Sequence, residues 1–226
     1  MSRLDRGLEL VAASRAAGVE LALLGGAAVA ALCESARTGP YARELGDVDL
    51  AGSTRDRRRI VAFAQSAGLR DDVSFNAANS DVRLRFLDHD DAHVDVFLDE
   101  LRLCHAVKFS TTAGDTIEVH ELFLTKTQVV ELTPKDFSDL SALLTDKWPE
   151  LWESRARLSK AVANDWGLWR TSRGTLERLG ASDDAVVAAR ASELLDYWQT
   201  ISFGPMARLR ARVGDRVRWY EEPEEI

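Results

Sequence analysis

The chain has 226 residues, enough for one large domain or for a catalytic domain with a smaller helical companion, and 29 basic against 37 acidic side chains leave a net charge of −8. That balance argues against broad, non-specific attraction to polyphosphate, although a local basic groove can coexist with an acidic total. Cys33 and Cys104 lack the spacing of a zinc or redox motif and suit buried reduced thiols, while the absence of any apolar run near ~18 residues, or of a signal-like N-terminus, leads us to expect a cytoplasmic protein without membrane contact.

Taken in order, "SRLDRGLELVAASRAAG" spaces Leu4, Leu8 and Val11 as an amphipathic helix, with Ser2 as its cap and Gly18 as its stop. "VELALLGG" is a short buried strand. From Gly26, "AAVAALCESA" is a helix of small residues, ended by the loop "RTGPYARELG". "DVDLAG" is a second strand, and "STRDRRRIVAFAQSAG" a helix capped by Ser53 or Thr54 and terminated by Gly68. Three strand-like segments follow, "LRDDVSFNA", "DVRLRFLD" and "HVDVFLDE", the last two joined by a hairpin turn at "HDDA"; "TIEVHE" is one more short strand. The pattern then turns helical, with "ELFLTKTQVVEL", "TPKDFSDLSALLTDKW" and three or so segments between Pro149 and Arg218; only the acidic "EEPEEI" tail is expected to be disordered. The chain is thus α/β first and all-helical later, with the change falling between Asp115 and Lys147.

The chemistry concentrates in carboxylates. A strand alternates its side chains, so Asp47 and Asp49 point to one face while Val48 and Leu50 point to the other. Two like charges so close repel, and the arrangement calls for a cation; oxygen-only ligands suit Mg²⁺ or Mn²⁺. In "HVDVFLDE", Val94, Val96 and Leu98 face the core and Asp95 the other side. If that strand lies beside the first, Asp95 completes a triad able to hold two metals about 3.5–4 Å apart. The alternative is that Asp47 and Asp49 decorate a solvated edge.

Gly25 and Gly26 stand where a strand passes into a helix, and glycine there lets a phosphate approach backbone N–H groups at the positive helix end, although such turns also carry glycine for steric reasons alone. In "DVRLRF", Val82, Leu84 and Phe86 alternate inward. Arg83 and Arg85 therefore share the outward side, suited to triphosphate oxygens or to plain solvation. Lys126 interrupts an apolar helix and either snorkels to solvent or reaches a phosphate.

"LLGGAAVAAL", then "GDVDLAG", then "HVDVFLD" together resemble the nucleotidyltransferase superfamily that includes DNA polymerase beta and the aminoglycoside nucleotidyltransferases. Within it the chain is most similar to the minimal bacterial proteins typified by the AbiEii and MenT toxins, through Lys126 in "LFLTKTQVVEL" and "KDFSDL" at Lys135 to Leu140. The segment from Gly26 to Asp47 is longer than is usual there, by roughly "SARTGPYAREL". The resemblance implies a nucleotidyltransferase-fold mixed sheet flanked by helices over residues 1–120, and a C-terminal helical bundle over 121–226.

It also implies attack by a nucleophile on the α-phosphorus of an NTP with loss of pyrophosphate. Asp47, Asp49 and Asp95 would hold Mg²⁺ or Mn²⁺, and Asp95 could help deprotonate the acceptor; Gly25, Gly26, Arg83, Arg85 and Lys126 would bind the nucleotide. The acceptor stays open between tRNA, a protein side chain and a small molecule, and a toxin role with an antitoxin partner follows from the similarity alone. Two rivals remain, a catalytically silent nucleotide-binding or regulatory module and a plain structural protein.

Asp136 reads as the third residue of a helix capped by Thr133 with Pro134 in its first turn, and Asp139 as a partner of Lys126 or Lys135. His105 and His120 lack metal-ligand spacing, and Asn76 suits a turn more than a base contact. Trp148, Trp152, Trp166, Trp169 and Trp198 read as bundle core, with base stacking as the alternative. Arg208, Arg210, Arg212, Arg216 and Arg218 form the one basic cluster, fit to guide RNA or, more simply, to neutralise nearby acids.

Overall fold

The first helix, α1 (Arg3–Ala16), begins at the expected cap: Ser2 and Asp5 form a reciprocal capping box, and Gly18 closes the turn beyond it at φ +69°. This is a computed structural model, and it describes residues 1–111 and 114–222. After α1 come β1 (Ala22–Leu23), α2 (Gly25–Leu32), β2 (Val48–Gly52), a 3₁₀ turn, α3 (Arg57–Ser66), β3 (Arg70–Asp71), α4 (Val73–Asn79), β4 (Arg83–Leu87) and β5 (His93–Leu98). A small hairpin, β6 (Glu100–Arg102) with β7 (Ala106–Lys108), leads to the helices α5 (Val119–Thr127), α6 (Pro134–Asp146), α7 (Trp148–Glu153), α8 (Arg155–Asn164), α9 (Trp166–Gly180), α10 (Ala185–Trp198) and α11 (Pro205–Val213).

The five-stranded mixed sheet has the order β1-β2-β5-β4-β3, with β2 and β5 parallel and the other neighbours antiparallel. Its apolar face carries Leu50, Leu84, Phe86, Val94 and Val96, all buried, and is covered by α1 and α3; Ile60 of α3 sits over Gly52 and Val96. The opposite face carries the acids. α2 packs on β2 and against both α5 and α6, so one apolar core runs from the sheet to the helices α9 and α10. The mixed α/β sheet flanked by helices and followed by a helical region is the expected architecture.

Several local expectations are corrected. "LRDDVSFNA" is a strand only at Arg70–Asp71, because the Asp72 carboxylate accepts the Phe75 N–H and starts α4. "TIEVHE" contributes a single bridge from Thr116 to Leu23 before α5 begins. "HVDVFLDE" is broken at Asp99, whose φ of +64° turns the chain into the β6–β7 hairpin that the sequence did not announce. Val82 precedes β4 and is 44% exposed rather than inward. Five helices, not three or so, occupy the last third. The "HDDA" turn holds, Asp88 N–H donating to the Ala92 carbonyl at 2.9 Å. Of the tail expected to be disordered, residues 223–226 lie outside the described residues.

Candidate functional site

Strands β2 and β5 pair in register, which sets Asp49 directly beside Asp95. Asp47 precedes the first ladder residue, keeps the same parity and is exposed. On the far side of β5, Arg85 lies opposite Asp95 and Arg83 opposite Phe97. One face of the sheet therefore gathers the three acids and both arginines, as alternation predicts. Asp47, Asp49, Asp95, Gly25, Arg83 and Lys126 line a common cleft of about 160 Å³. Arg85 lies outside its walls, with its guanidinium 4.0 Å over the Phe75 ring.

Gly25 opens α2 at φ +61°, and a Cβ there would run into the Asp49 carboxylate. Both facts demand glycine, by left-handed backbone and by close approach. The turn is fixed from below by the Leu24 N–H donating to the Asp49 carbonyl at 2.9 Å. Gly26, one residue on, has the Arg43 guanidinium and the Leu45 side chain where its own side chain would be.

The acids are not equivalent. Burial pushes the Asp49 carboxyl up to about 6, the negative charges of Asp95 and Asp47 add to this, and Lys126 and Arg83 oppose it. Among the described residues neither Asp47 nor Asp49 has a side-chain hydrogen bond or ion pair. Asp95 is 2% exposed and already engaged. Arg83 donates to both its oxygens, Nε at 3.0 Å and Nη2 at 2.8 Å, and Arg85 Nε donates to Oδ1 at 3.1 Å. The expected triad is thus an open pair with a third acid turned to the arginines. The arginines in turn are not free solvent-facing phosphate ligands.

Among the described residues the one trio of ligand atoms lying within 4.8 Å is Asp88, His89 and Asp90 on the β4–β5 turn. That trio is committed elsewhere. Burial would raise the Asp88 carboxyl, but hydrogen bonds from Arg6 and His89 hold it down to about 2, and Arg3 binds Asp90 at 2.6 Å.

Lys126, on the last turn of α5, places its Nζ 2.7 Å from Asp139 Oδ2 on α6. Asp139 is 2% exposed and also accepts a fork from Arg43, Nε to Oδ1 and Nη2 to Oδ2, both at 2.8 Å. The expected pairing of Asp139 with Lys126 holds. Arg43 was missed, because a single arginine in a loop of mixed polarity carries no periodic or spacing signal. Asp136 forms the expected capping box with Thr133.

The remaining candidates are structural. Asn76 is in α4 rather than a turn, and its side chain accepts the Arg85 N–H at 2.7 Å while donating to the Arg85 carbonyl at 2.9 Å. His105 is buried with Nε2 2.9 Å from the Thr171 hydroxyl. The tryptophans pack on one another and on their neighbours, Trp148 with Trp152 at 5.2 Å between rings, away from the acid cleft. In the basic cluster Arg210 turns inward to the Gly214 carbonyl, and Arg218 pairs with Glu222 at 2.7 Å. Both cysteines are buried and free. No described helix is long and apolar enough to cross a membrane.

No protein-family model matches the chain, and no curated protein matches it. Among solved structures it is similar to the solution structure of the antibiotic-resistance factor ANT(2'')-Ia, at 16% identity and a TM-score of 0.41, over 71% of this chain and 91% of that one. A likeness this slight decides neither activity nor substrate.

Proposed function

We propose that the protein is a metal-dependent nucleotidyltransferase, moving a nucleoside monophosphate from an NTP to an acceptor with release of pyrophosphate. One observation carries this: Asp49 beside Asp95 in register, with Asp47 on the same face, in a cleft shared with a positive-φ glycine turn and Lys126. Asp47 and Asp49 fit Mg²⁺ or Mn²⁺, since they are unpartnered carboxylates, one of them raised by burial and like charge, and hard cations take oxygen donors. When bound, such an ion stabilises charge on the attacking and leaving oxygens.

The chain's own groups supply the rest. The Gly25–Gly26 turn presents α2 N–H groups, and Lys126 adds a cation for the phosphates. A triphosphate offers Arg83 the same fork geometry that Asp95 now supplies. Asp95, released by Arg83 and keeping only Arg85 on Oδ1, then takes the proton of the acceptor hydroxyl as the oxygen–phosphorus bond forms and the bond to pyrophosphate breaks. Residues 1–120 form the catalytic part and 121–226 the helical part, which lends Lys126 across the division. The AbiEii and MenT resemblance extends this to a toxin with an antitoxin partner, and co-purification with the product of an adjacent gene tests that extension.

Incubation with α-labelled NTPs, Mg²⁺ or Mn²⁺, and tRNA, protein or small-molecule acceptors tests the central claim, with Asp47→Ala and Asp49→Ala as controls. Label in any acceptor, lost in both variants, supports it. NTP-dependent thermal stabilisation without transfer favours the silent nucleotide-binding module, and no stabilisation by any NTP removes the nucleotide reading.

A further inference from the structure

The segment between α2 and β2 brings Arg43 against Gly26, just outside the cleft lining, where it shares one buried anion with a second cation. Asp139 is a single buried anion. Arg43 occupies both its oxygens at 2.8 Å, and Lys126 shares Oδ2 at 2.7 Å, so two cations face one carboxylate. All three side chains are sheltered, at 20%, 14% and 3% exposure for Arg43, Lys126 and Asp139. Within this trio one positive charge exceeds the negative, and the next anions it faces are the unpartnered carboxylates of the cleft, Asp49 first.

Arg43 cannot carry that charge into the cleft. Its Nε and Nη2 are committed to Asp139, its Nη1 donates to the Glu44 carbonyl at 3.2 Å, and the guanidinium rests over Gly26. Lys126 can, because it lines the cleft and has three ammonium hydrogens, of which Asp139 takes one. The segment holding Arg43 is itself tied to the C-terminal helices. Ser35 N–H donates to Asp146 of α6 at 2.9 Å, and the Tyr41 hydroxyl donates to Asp184, the N-cap of α10, at 2.5 Å. Arg190 of α10 then donates to the Leu144 and Thr145 carbonyls of α6 at 2.6 and 2.7 Å.

We infer that Arg43 is a positioning residue for Lys126: by saturating Asp139 it leaves the Lys126 ammonium under-neutralised and available to an anionic phosphate, and the Tyr41–Asp184 tie makes the C-terminal helices part of that arrangement. The nature of the anion rests on the proposed function; the coupling between Arg43 and Lys126 does not. Without Arg43, Asp139 neutralises Lys126 alone.

Two readouts test this on the full-length protein. In metal-free protein, acylation of Lys126 by acetic anhydride, followed by mass spectrometry, is expected to slow several-fold in Arg43→Gln, because a side chain held wholly by Asp139 reaches the reagent less often, and to recover in Arg43→Lys. Binding of inorganic triphosphate is expected to weaken by about tenfold in Arg43→Gln, the scale of one charge-assisted contact. The double variant Arg43→Gln/Lys126→Gln is expected to bind no more weakly than Lys126→Gln alone. Unchanged Lys126 acylation overturns the inference, as does an additive loss in the double variant, which would make Arg43 a direct phosphate ligand. Should Arg43→Gln fail to fold, Tyr41→Phe replaces it, with slower Lys126 acylation expected and an unchanged rate again refuting. If wild type binds no triphosphate while acylation responds as stated, the nucleotide reading fails and the coupling stands.

Discussion

Replacing Asp49 by Asn is expected to stabilise this protein. The Asp49 carboxyl is pushed up from its ordinary 3.8 to about 6, first by burial and then by the charges of Asp95 and Asp47. A carboxyl with a raised folded-state pKa binds more protons folded than unfolded between those two values, so stability falls as pH rises through about 4 to 6 and stays low above. The difference of about two pKa units corresponds to at most about 3 kcal/mol, discounted for the residual solvent contact of the side chain. Asn has the shape of the protonated acid and no charge. At pH 8 Asp49→Asn should therefore exceed wild type by up to about 3 kcal/mol, which at the usual scaling is at most roughly 6–12 °C in Tm for a chain this long. Near pH 4 the two should coincide. Urea melts at a series of pH values measure this, and Mg²⁺ should narrow the gap at pH 8 by raising wild type alone. An Asn variant no more stable than wild type at pH 8 would refute the claim that Asp49 is held in an electrostatically unfavourable place.

Three other outcomes are expected from named contacts. Gly25→Ala forces a Cβ into left-handed backbone and against the Asp49 carboxylate, so a loss of more than about 1 kcal/mol is expected, with loss of any Mg²⁺- or NTP-dependent thermal shift, both read by thermal melts. Arg6→Ala strands the buried Asp88 carboxylate, costing about 3–5 kcal/mol at neutral pH. Asp88 is held down to about 2, so the wild-type contribution is complete above pH 3.8 and lost toward pH 2; with only His89 left on the carboxylate, that limb of the variant's acid denaturation profile should shrink. Phe86→Ala empties a fully buried site on the apolar face and should cost about 3–5 kcal/mol in urea unfolding, with the pH profile of Asp49 unchanged.

What the sequence could convey is what local physics decides. Period-two alternation puts Asp47 and Asp49 on one face and Asp95 opposite its own core residues, the β2–β5 pairing then joins the three, and cap chemistry places the starts of α1 and α6 at Ser2 and Thr133. It failed where a polar residue had two uses. Asp72 reads as a polar position in a strand, yet its carboxylate caps α4, and Asp99 reads as the end of a strand, yet it adopts φ +64° and starts a hairpin. Partner choice was hidden altogether. Nothing in "DVRLRF" says that Arg83 and Arg85 spend their donors on Asp95, and nothing in "YARELG" says that Arg43 reaches Asp139, because such pairs are set by which elements the fold brings together.

The single parallel ladder among the described strands, β2 beside β5, also governs when the acidic centre comes into existence. Parallel neighbours need a crossover, here everything from Ser53 to Ala92, and closing so long a loop makes the pairing a late event in folding. During synthesis Asp49 and Asp95 cannot meet before Leu98 has left the ribosome, and Lys126, Asp139 and the Asp184 anchor emerge later still. A nascent or truncated chain lacking its C-terminal helices therefore has Arg83 and Arg85 on Asp95 but leaves Asp47 and Asp49 without Lys126, and the cleft gains its full set of charges only once α5 has emerged.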